Sequence, residues 1–455
     1  MKKLLTIIVD GFGIRGESKD NAIVQANMHT YEQFFKDHPH ALLDTSNEAL
    51  GLLPNEEVSC KQSHKIMGGG RLYHSDNYLI NEFWDNYSDN EIFNSILSKE
   101  DKPIHLLCFL RKDNLKNVVN CYNALKKNGI RNVYLHLIVF QDTSDYLDKF
   151  YKSVDQKSLI TIVGGDYLDD SNDNGILKYY NVLTNNVAIS QNVEQYLNRY
   201  ENWNSTLNTV KPVKFNSEIT IGMDDTIIWL DNHSKDTKLI KAFADLGANV
   251  YTYFKYNGID TDYFIDKENT DNSLGMYLGR LDVKQARVAQ DEKFEILNQY
   301  FDCTDKKISS CDKYKIDGID NRPEMSIVDI TKRTIDLMDK DYSYIVINFA
   351  NCDVYGQKGN MNEAIQACMS VDVCLAKLIE EAENNFYTII LIGDHGRAEN
   401  IKPGSSRSTL VPFIISDDKL ELRDGGSLKD YAPTILDYME ITIPEEMTGE
   451  SLIVK

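Results

Sequence analysis

The sequence predicts an α/β protein with a mostly parallel sheet and a second, smaller α/β domain inserted into it. Three observations carry this expectation: short β-rich apolar runs recur along the chain, amphipathic helical periods separate them, and two polar, turn-rich stretches bracket a self-contained block in the first half. In chain order the first run is Leu4–Val9, which reads as a buried strand. The polar stretch Ser75–Tyr78 then opens the block, which carries runs at Ile104–Leu110, Val133–Phe140, Leu159–Val163, Thr226–Leu230 and Val250–Phe254. Asn257–Asn272 closes it. Beyond lie Tyr344–Phe349, a helical period through Ile365, Cys368, Met369, Val371, Asp372, Leu375, Leu378 and Ile379, and the runs Thr388–Ile392 and Val411–Ile415. The expected domains are therefore a discontinuous core, residues 1–76 with 270–455, and an insert, residues 79–266.

At 455 residues the chain exceeds one ordinary hydrophobic core, and 42% hydrophobic with 26% charged residues is ordinary for a folded protein. A net charge of −21 argues against sequence-independent binding to nucleic acid or anionic lipid, both of which need a basic surface. The apolar run in "MKKLLTIIVDGFG" ends at Asp10 without a small-residue cleavage site, so it reads as a strand rather than a signal peptide. No stretch is long enough to span a membrane. Eight scattered cysteines without a CxxC pair predict reduced thiols and a cytoplasmic protein.

Ligands of open α/β sheets sit beyond the carboxyl ends of the strands. Asp10 follows "LLTIIV", Asp353 follows "YIVINFANC", and Asp394 with His395 follow "TIILIG". One such carboxylate is commonly a cap or a turn former. Three strands delivering carboxylates to one edge point to a bound cation, because clustered negative charge is costly without one. The stretch "EVSCKQSHKIMGGGR", residues 57–71, reads as an active-site loop. Cys60 is either a small buried hydrophobe or a metal-bound or metal-adjacent thiolate favoured by the neighbouring Lys61. With Asp10, Asp394 and His395 it completes a mixed O/N/S set suited to zinc. Ser59 and Ser63 read as hydrogen-bonding residues, and Gly68, Gly69 and Gly70 as sites of close backbone approach.

"IIVDGFG", "DNAIVQAN", "KQARVAQDEKF", "INFANCDVYGQKG", "IGDHGRAEN", "VPFIIS" and "YAPTILDYMEITIPEEMTGESLI" resemble, in order, the cofactor-independent (2,3-bisphosphoglycerate-independent) phosphoglycerate mutases of the alkaline phosphatase superfamily. The resemblance implies an alkaline-phosphatase-like core with helices on both faces of its sheet, and a transferase domain in the place of the insert. It implies a phosphorylated serine flanked by two manganese or zinc ions. Asp10, Asp394 and His395 match the ligands of one ion, and Cys60 stands at the nucleophile. Asp353 matches a ligand of the other ion, but Gln357 and Ser406 stand where the family has histidines. His395 is the only histidine after residue 233, so one tight ion, Mn2+ or Zn2+, is expected and a second, at Asp353 and Gln357, is weak or absent. Lys293 resembles the family's lysine beside the phosphorylated side chain, which gives it a catalytic role with Cys60.

The insert departs from the family's arginine-rich pocket. Gln141 stands beside a retained Asp142, Gly165 and Ser171 replace one arginine pair, Asn232 and Lys235 replace another, and Lys116 takes a histidine's place. His64, Asp142, Lys116 and Lys235 are the implied substrate-binding residues. The expected function is phosphotransfer, as a phosphotransferase, phosphomutase or hydrolase, by a monomer acting on a small phosphorylated or phosphonate metabolite other than phosphoglycerate. The alternative is a catalytically inactive scaffold that keeps a structural ion.

Overall fold

Among the described residues the strands assemble into two separate seven-stranded sheets. The structure is a computed structural model, and it describes residues 2–98, 102–141, 143, 146–169, 171–185, 193, 196, 207–231, 237–319, 321–404 and 407–455. In chain order the strands are β1 (Lys3–Val9) and β2 (His40–Asp44), then β3 (Ile104–Leu110), β4 (Val133–Val139), β5 (Leu159–Gly164), β6 (Val213–Lys214), β7 (Thr226–Leu230), β8 (Asn249–Thr252) and β9 (Asp262–Tyr263), then β10 (Gln285–Gln290), β11 (Cys311–Ile316), β12 (Tyr344–Phe349), β13 (Tyr387–Gly393) and β14 (Leu410–Ile415). Residues 1–75 with 268–455 form one compact unit and residues 76–267 the other.

In the first unit the order is β11-β10-β12-β1-β13-β14-β2, with only β14 running opposite to the rest. Successive residues of β1 point to opposite faces and enter different cores. Leu5, Ile7 and Val9 pack with helices Ile327–Met338 and Met361–Asn384. Leu4 and Ile8 pack with helices Cys60–Gly69 and Tyr431–Tyr438. Helices on both faces are thus dictated by a central strand that is apolar on both sides. The long helix Met361–Asn384 starts where Asn360 caps the backbone N–H groups of Asn362 and Glu363.

The second unit has the order β6-β5-β4-β3-β7-β8-β9, with only β6 antiparallel. It holds its own apolar cores, one centred on Leu106, Leu135 and Ile228 and one on Phe109, Trp229 and Phe243.

Three core strands differ from the sequence reading. β10 spells "QARVAQ", with no apolar run, yet is fully buried. Its Arg287 donates to Gln285 Oε1 (2.9 Å) and Asp302 Oδ1 (3.0 Å), so polar partners replace the missing hydrophobes. β11, "CDKYKI", is a charged edge strand, and β2 is five residues of a short antiparallel edge. Among the described residues no helix is long and apolar enough to cross a membrane, and all eight cysteines are free thiols.

Candidate metal centre

The three central strands of the first sheet lie side by side in the order β12-β1-β13, with Val9 in register with both Phe349 and Gly393. Their carboxyl ends therefore deliver the next residues to one place. Asp10 follows β1, Asp394 follows β13, and Asp353 lies in the first turn of helix Asn351–Lys358 after β12. Gly11 adopts φ +73°, and a Cβ there would press on the Asp353 backbone at 2.6 Å, so glycine is required for the β1 and β12 segments to meet so closely.

Residues 60–69 are a helix rather than the expected loop. Ser59 caps it by accepting from Gln62 N, and Gly70 closes it in the left-handed conformation (φ 63°). Cys60 is the first helical residue, half-buried, with Sγ 3.2 Å from Asp10 Oδ1, 3.1 Å from His395 Nε2 and 3.6 Å from Asp353 Oδ2. Lys61 turns away, with its ammonium 5.1 Å from the centre of the Tyr300 ring, so the cation beside the sulfur is Lys293 instead. Lys293 Nζ lies 3.1 Å from Sγ, 2.9 Å from Asp10 Oδ2 and 2.8 Å from Asp353 Oδ2.

Asp394 Oδ1 accepts backbone N–H groups from Gly11 (3.0 Å) and His395 (2.9 Å). Its Oδ2 is buried and has no hydrogen-bond partner among the described residues. Such an orphan is costly unless something else takes it up. Asp10, Cys60, Asp394 and His395 each offer one donor atom within 4.8 Å of the others. The unsatisfied oxygen and the O/O/N/S donor chemistry fit a divalent transition-metal ion at these four residues.

Burial pushes the Cys60 thiol well above its ordinary value, with Asp10, Asp394 and Asp353 acting the same way and Lys293 opposing. The expected thiolate therefore does not arise from neighbouring lysines alone. Burial and the Asp10 charge push Asp394 up to about 7. Burial opposes ionisation of Asp10, but Lys293, His395 and His64 outweigh it and hold its carboxyl well below the usual range. Burial likewise disfavours the His395 imidazolium, and Asp394, Asp353 and Asp10 overcome that and raise it.

Among the described residues, those around Asp353 complete no second set of metal donors. Asp353 Oδ2 is taken by Lys293, and Oδ1 faces Arg397 Nε at 3.5 Å. Gln357 lies one turn further along the helix and is exposed, and Ser406 falls outside the described residues. His64, expected among the substrate-binding residues, is fully buried behind the centre, with Nδ1 at 2.8 Å from Cys60 O and 3.5 Å from Asp394 Oδ2, and Nε2 beside Asn348. Burial lowers it to about 4, so it is a neutral positioning group. Lys116 sits on the second unit, donating to Asn81 Oδ1 at 2.8 Å. Asp142 and Lys235 lie outside the described residues.

Four residues near the centre escaped the sequence reading: Glu57, Arg397, Glu399 and Arg407. Arg397 stands inside "DHGRAEN", two residues after His395, so its proximity was available from spacing alone.

Residues 2–443 match the family model of the metalloenzyme superfamily. The chain is 27% identical over 502 residues to a 2,3-bisphosphoglycerate-independent phosphoglycerate mutase of Metamycoplasma hominis, covering 100% of both chains. It is 28% identical over 516 residues to the enzyme of the same name from Clostridium kluyveri, covering 99% of both. Its fold is that of the Leishmania mexicana phosphoglycerate mutase crystal structure, with a TM-score of 0.70 at 17% identity over 100% of this chain and 98% of that one. With a fold, a whole-chain sequence match and a four-donor centre in agreement, this chain belongs to the metalloenzyme superfamily and is phosphoglycerate mutase-like.

Proposed function

We propose that this chain is a metal-dependent enzyme that acts on a phosphoryl or phosphonyl group of a small molecule other than phosphoglycerate, with one divalent ion, zinc or manganese, at Asp10, Cys60, Asp394 and His395. The observation that carries this reading is the convergence of four donor atoms within 4.8 Å of one another, beside a buried Asp394 Oδ2 that accepts no hydrogen bond from the described residues and lies 3.5 Å from both the His64 and His395 rings. A divalent ion there supplies Lewis-acid polarisation of an oxyanion and stabilises the thiolate of Cys60. Lys293, 3.1 Å from the sulfur, balances negative charge that gathers on a group transferred at Cys60. His64 and the backbone N–H groups of Gly11 and His395 fix the carboxylates so that these distances persist.

A substrate other than phosphoglycerate is supported by the insert. Gly165 offers no side chain to an anion, and a Cβ there would come within 2.3 Å of the Phe140 ring. A second reading, a non-catalytic protein with a structural ion, is favoured by the completeness of the four-residue donor set, since closed shells are commonly structural.

Elemental analysis of protein purified without chelators tests the centre. Cys60→Ala, Asp394→Ala and His395→Ala should each lower ion content, and Gln357→Ala should not; equal content in all four contradicts the assignment. A screen of phosphoesters and phosphonates with zinc and manganese tests the activity. Turnover of 3-phosphoglycerate by the wild type would contradict the substrate reading, and a blank screen at full ion content would select the structural one.

A further inference from the structure

Arg397 and Arg407 approach the centre from the side of Asp353, on chain segments that a single buried carboxylate ties together. Glu399 is fully buried; its Oε2 accepts the backbone N–H of Arg397 (2.6 Å) and its Oε1 that of Ser408 (2.7 Å). The carboxyl lies against Gly13, where a Cβ would come within 2.7 Å of Glu399 Cδ, and against Gly396. The stem of Arg397 packs on Gly356, where a Cβ would come within 2.7 Å of its Cγ. Space for these segments is thus built into the sequence by glycines.

Both guanidinium groups reach one oxygen. Arg407 Nη2 lies 2.8 Å, and Arg397 Nη2 3.8 Å, from Glu57 Oε1. Arg407 also donates from Nη1 to Val58 O (3.0 Å). The arginine side chains are 20% and 16% exposed for 397 and 407, whereas Glu57 is 80% exposed. Two mostly buried like charges side by side are unfavourable without an anion between them. The anions beside them are Asp353, 3.5 Å from Arg397 Nε, and Glu57, a solvent-exposed side chain three residues before Cys60. Exposed ion pairs contribute about 0–1 kcal/mol, so such a carboxylate is readily displaced. Arg397 Nε is buried, makes no hydrogen bond among the described residues and lies 3.5 Å from Asp353 Oδ1, which ties the pair to the centre. Asp353 in turn lies 3.6 Å from Cys60 Sγ.

We propose that Arg397 and Arg407 form an oxyanion subsite beside Cys60, which takes an anionic group of the substrate, and that Glu57 fills this subsite in the free protein. A planar guanidinium fork matches the oxygens of phosphate, phosphonate or carboxylate, and two forks facing one position select an anion with several acceptor oxygens over one with a single oxygen. The subsite supplies from side chains the positive charge that the residues around Asp353 cannot recruit from a second ion. It deepens the reading of Cys60 as part of a reaction centre and rests on it, but its own readout is anion binding, not ion content.

Titration calorimetry of the ion-loaded protein tests it, with inorganic phosphate in one arm and acetate in the other to separate tetrahedral from planar oxyanions. Arg397→Gln and Arg407→Gln should each weaken phosphate about tenfold or more, as expected for loss of a charge-assisted hydrogen-bonded pair. Arg407→Lys, which keeps the charge and loses the fork, should fall between. Glu57→Gln should tighten phosphate several-fold, because the internal competitor is gone. Tighter binding of acetate than of phosphate would assign the subsite to a substrate carboxylate. Elemental analysis and thermal melts of the same samples should match wild type. Phosphate affinity within twofold of wild type in both glutamine variants, or weakened by Glu57→Gln, would overturn the proposal, as would loss of the ion from the arginine variants. A wild type that takes up no zinc or manganese yet still binds phosphate through both arginines would instead defeat the metal reading and leave the subsite standing.

Discussion

Replacing Lys293 by methionine keeps most of the aliphatic stem and removes one positive charge from the point where three acceptors meet. Its Nζ lies 2.8 Å from Asp353 Oδ2, 2.9 Å from Asp10 Oδ2 and 3.1 Å from Cys60 Sγ, with side-chain exposures of 8% for the lysine, 10% for Asp353 and 0% for Asp10. Removing one member of a buried pair costs about 3–5 kcal/mol, because the remaining charge has no compensation. The two aspartates, both held below their ordinary values with Lys293 among the causes, should rise when it is gone. The sign follows from linkage: a depressed carboxylate stabilises the fold above its unfolded value, and that contribution disappears with the lysine. A carboxylate stranded in the variant can take up a proton at acid pH, so the loss should be largest near pH 7 and smaller near about pH 4. Urea unfolding of the ion-free proteins at both pH values reads this directly. A saturating divalent ion, at about 100 times its Kd, adds about 2.7 kcal/mol to a protein that binds it only when folded, and should raise the variant by that amount above its own ion-free value. A loss under about 1 kcal/mol near pH 7, or one that grows towards acid, refutes the claim that this ammonium holds the carboxylates together.

Ion affinity should fall as pH drops. Cys60, His395 and Asp394, the last at about 7, all have raised values in the ion-free site, so each holds a proton to higher pH that must leave when the ion enters. Competition with a chelating dye should show a slope steeper than tenfold per pH unit below about pH 7, and a flat affinity would contradict it. Gly68→Ala should destabilise the core by about 1–3 kcal/mol in urea, opposite in sign to the usual gain from Gly to Ala within a helix, because the added Cβ would overlap the Phe301 carbonyl oxygen. A stabilised variant would mean that the helix Cys60–Gly69 has slack against that backbone.

The sheet strands that matter most to the centre were readable because β1, β12 and β13 are apolar on both faces, which leaves no competing interpretation of "LLTIIV", "YIVINF" or "TIILIG". The residues that follow such strands converge by topology, so Asp10, Asp394 and His395 could be named together before any geometry. β10 was not readable, since Gln285, Arg287 and Gln290 are buried for reasons that lie fifteen or more residues away in some cases, such as Asp302. Cys60 was named from its position, but its helix was not foreseen, because "CKQSHKIMGG" has no clean apolar stripe and three of its last positions pack through glycine and methionine. The direction of Lys61 depends on Tyr300. The two arginines beside Asp353 were legible as letters but not as a pair, because what joins them is the Glu399 carboxylate, and a carboxylate that caps backbone N–H groups leaves no periodic trace.

The central claim is that one ion is held by two carboxylates, one imidazole and the sulfur of Cys60. Cobalt substitution measures it most directly, because a thiolate bound to Co2+ produces a near-ultraviolet charge-transfer band while carboxylate and imidazole ligands do not. The account predicts one cobalt per chain with this band in the wild type, and loss of the band in Cys60→Ser. Two cobalt ions per chain, or one ion without the band, would contradict it.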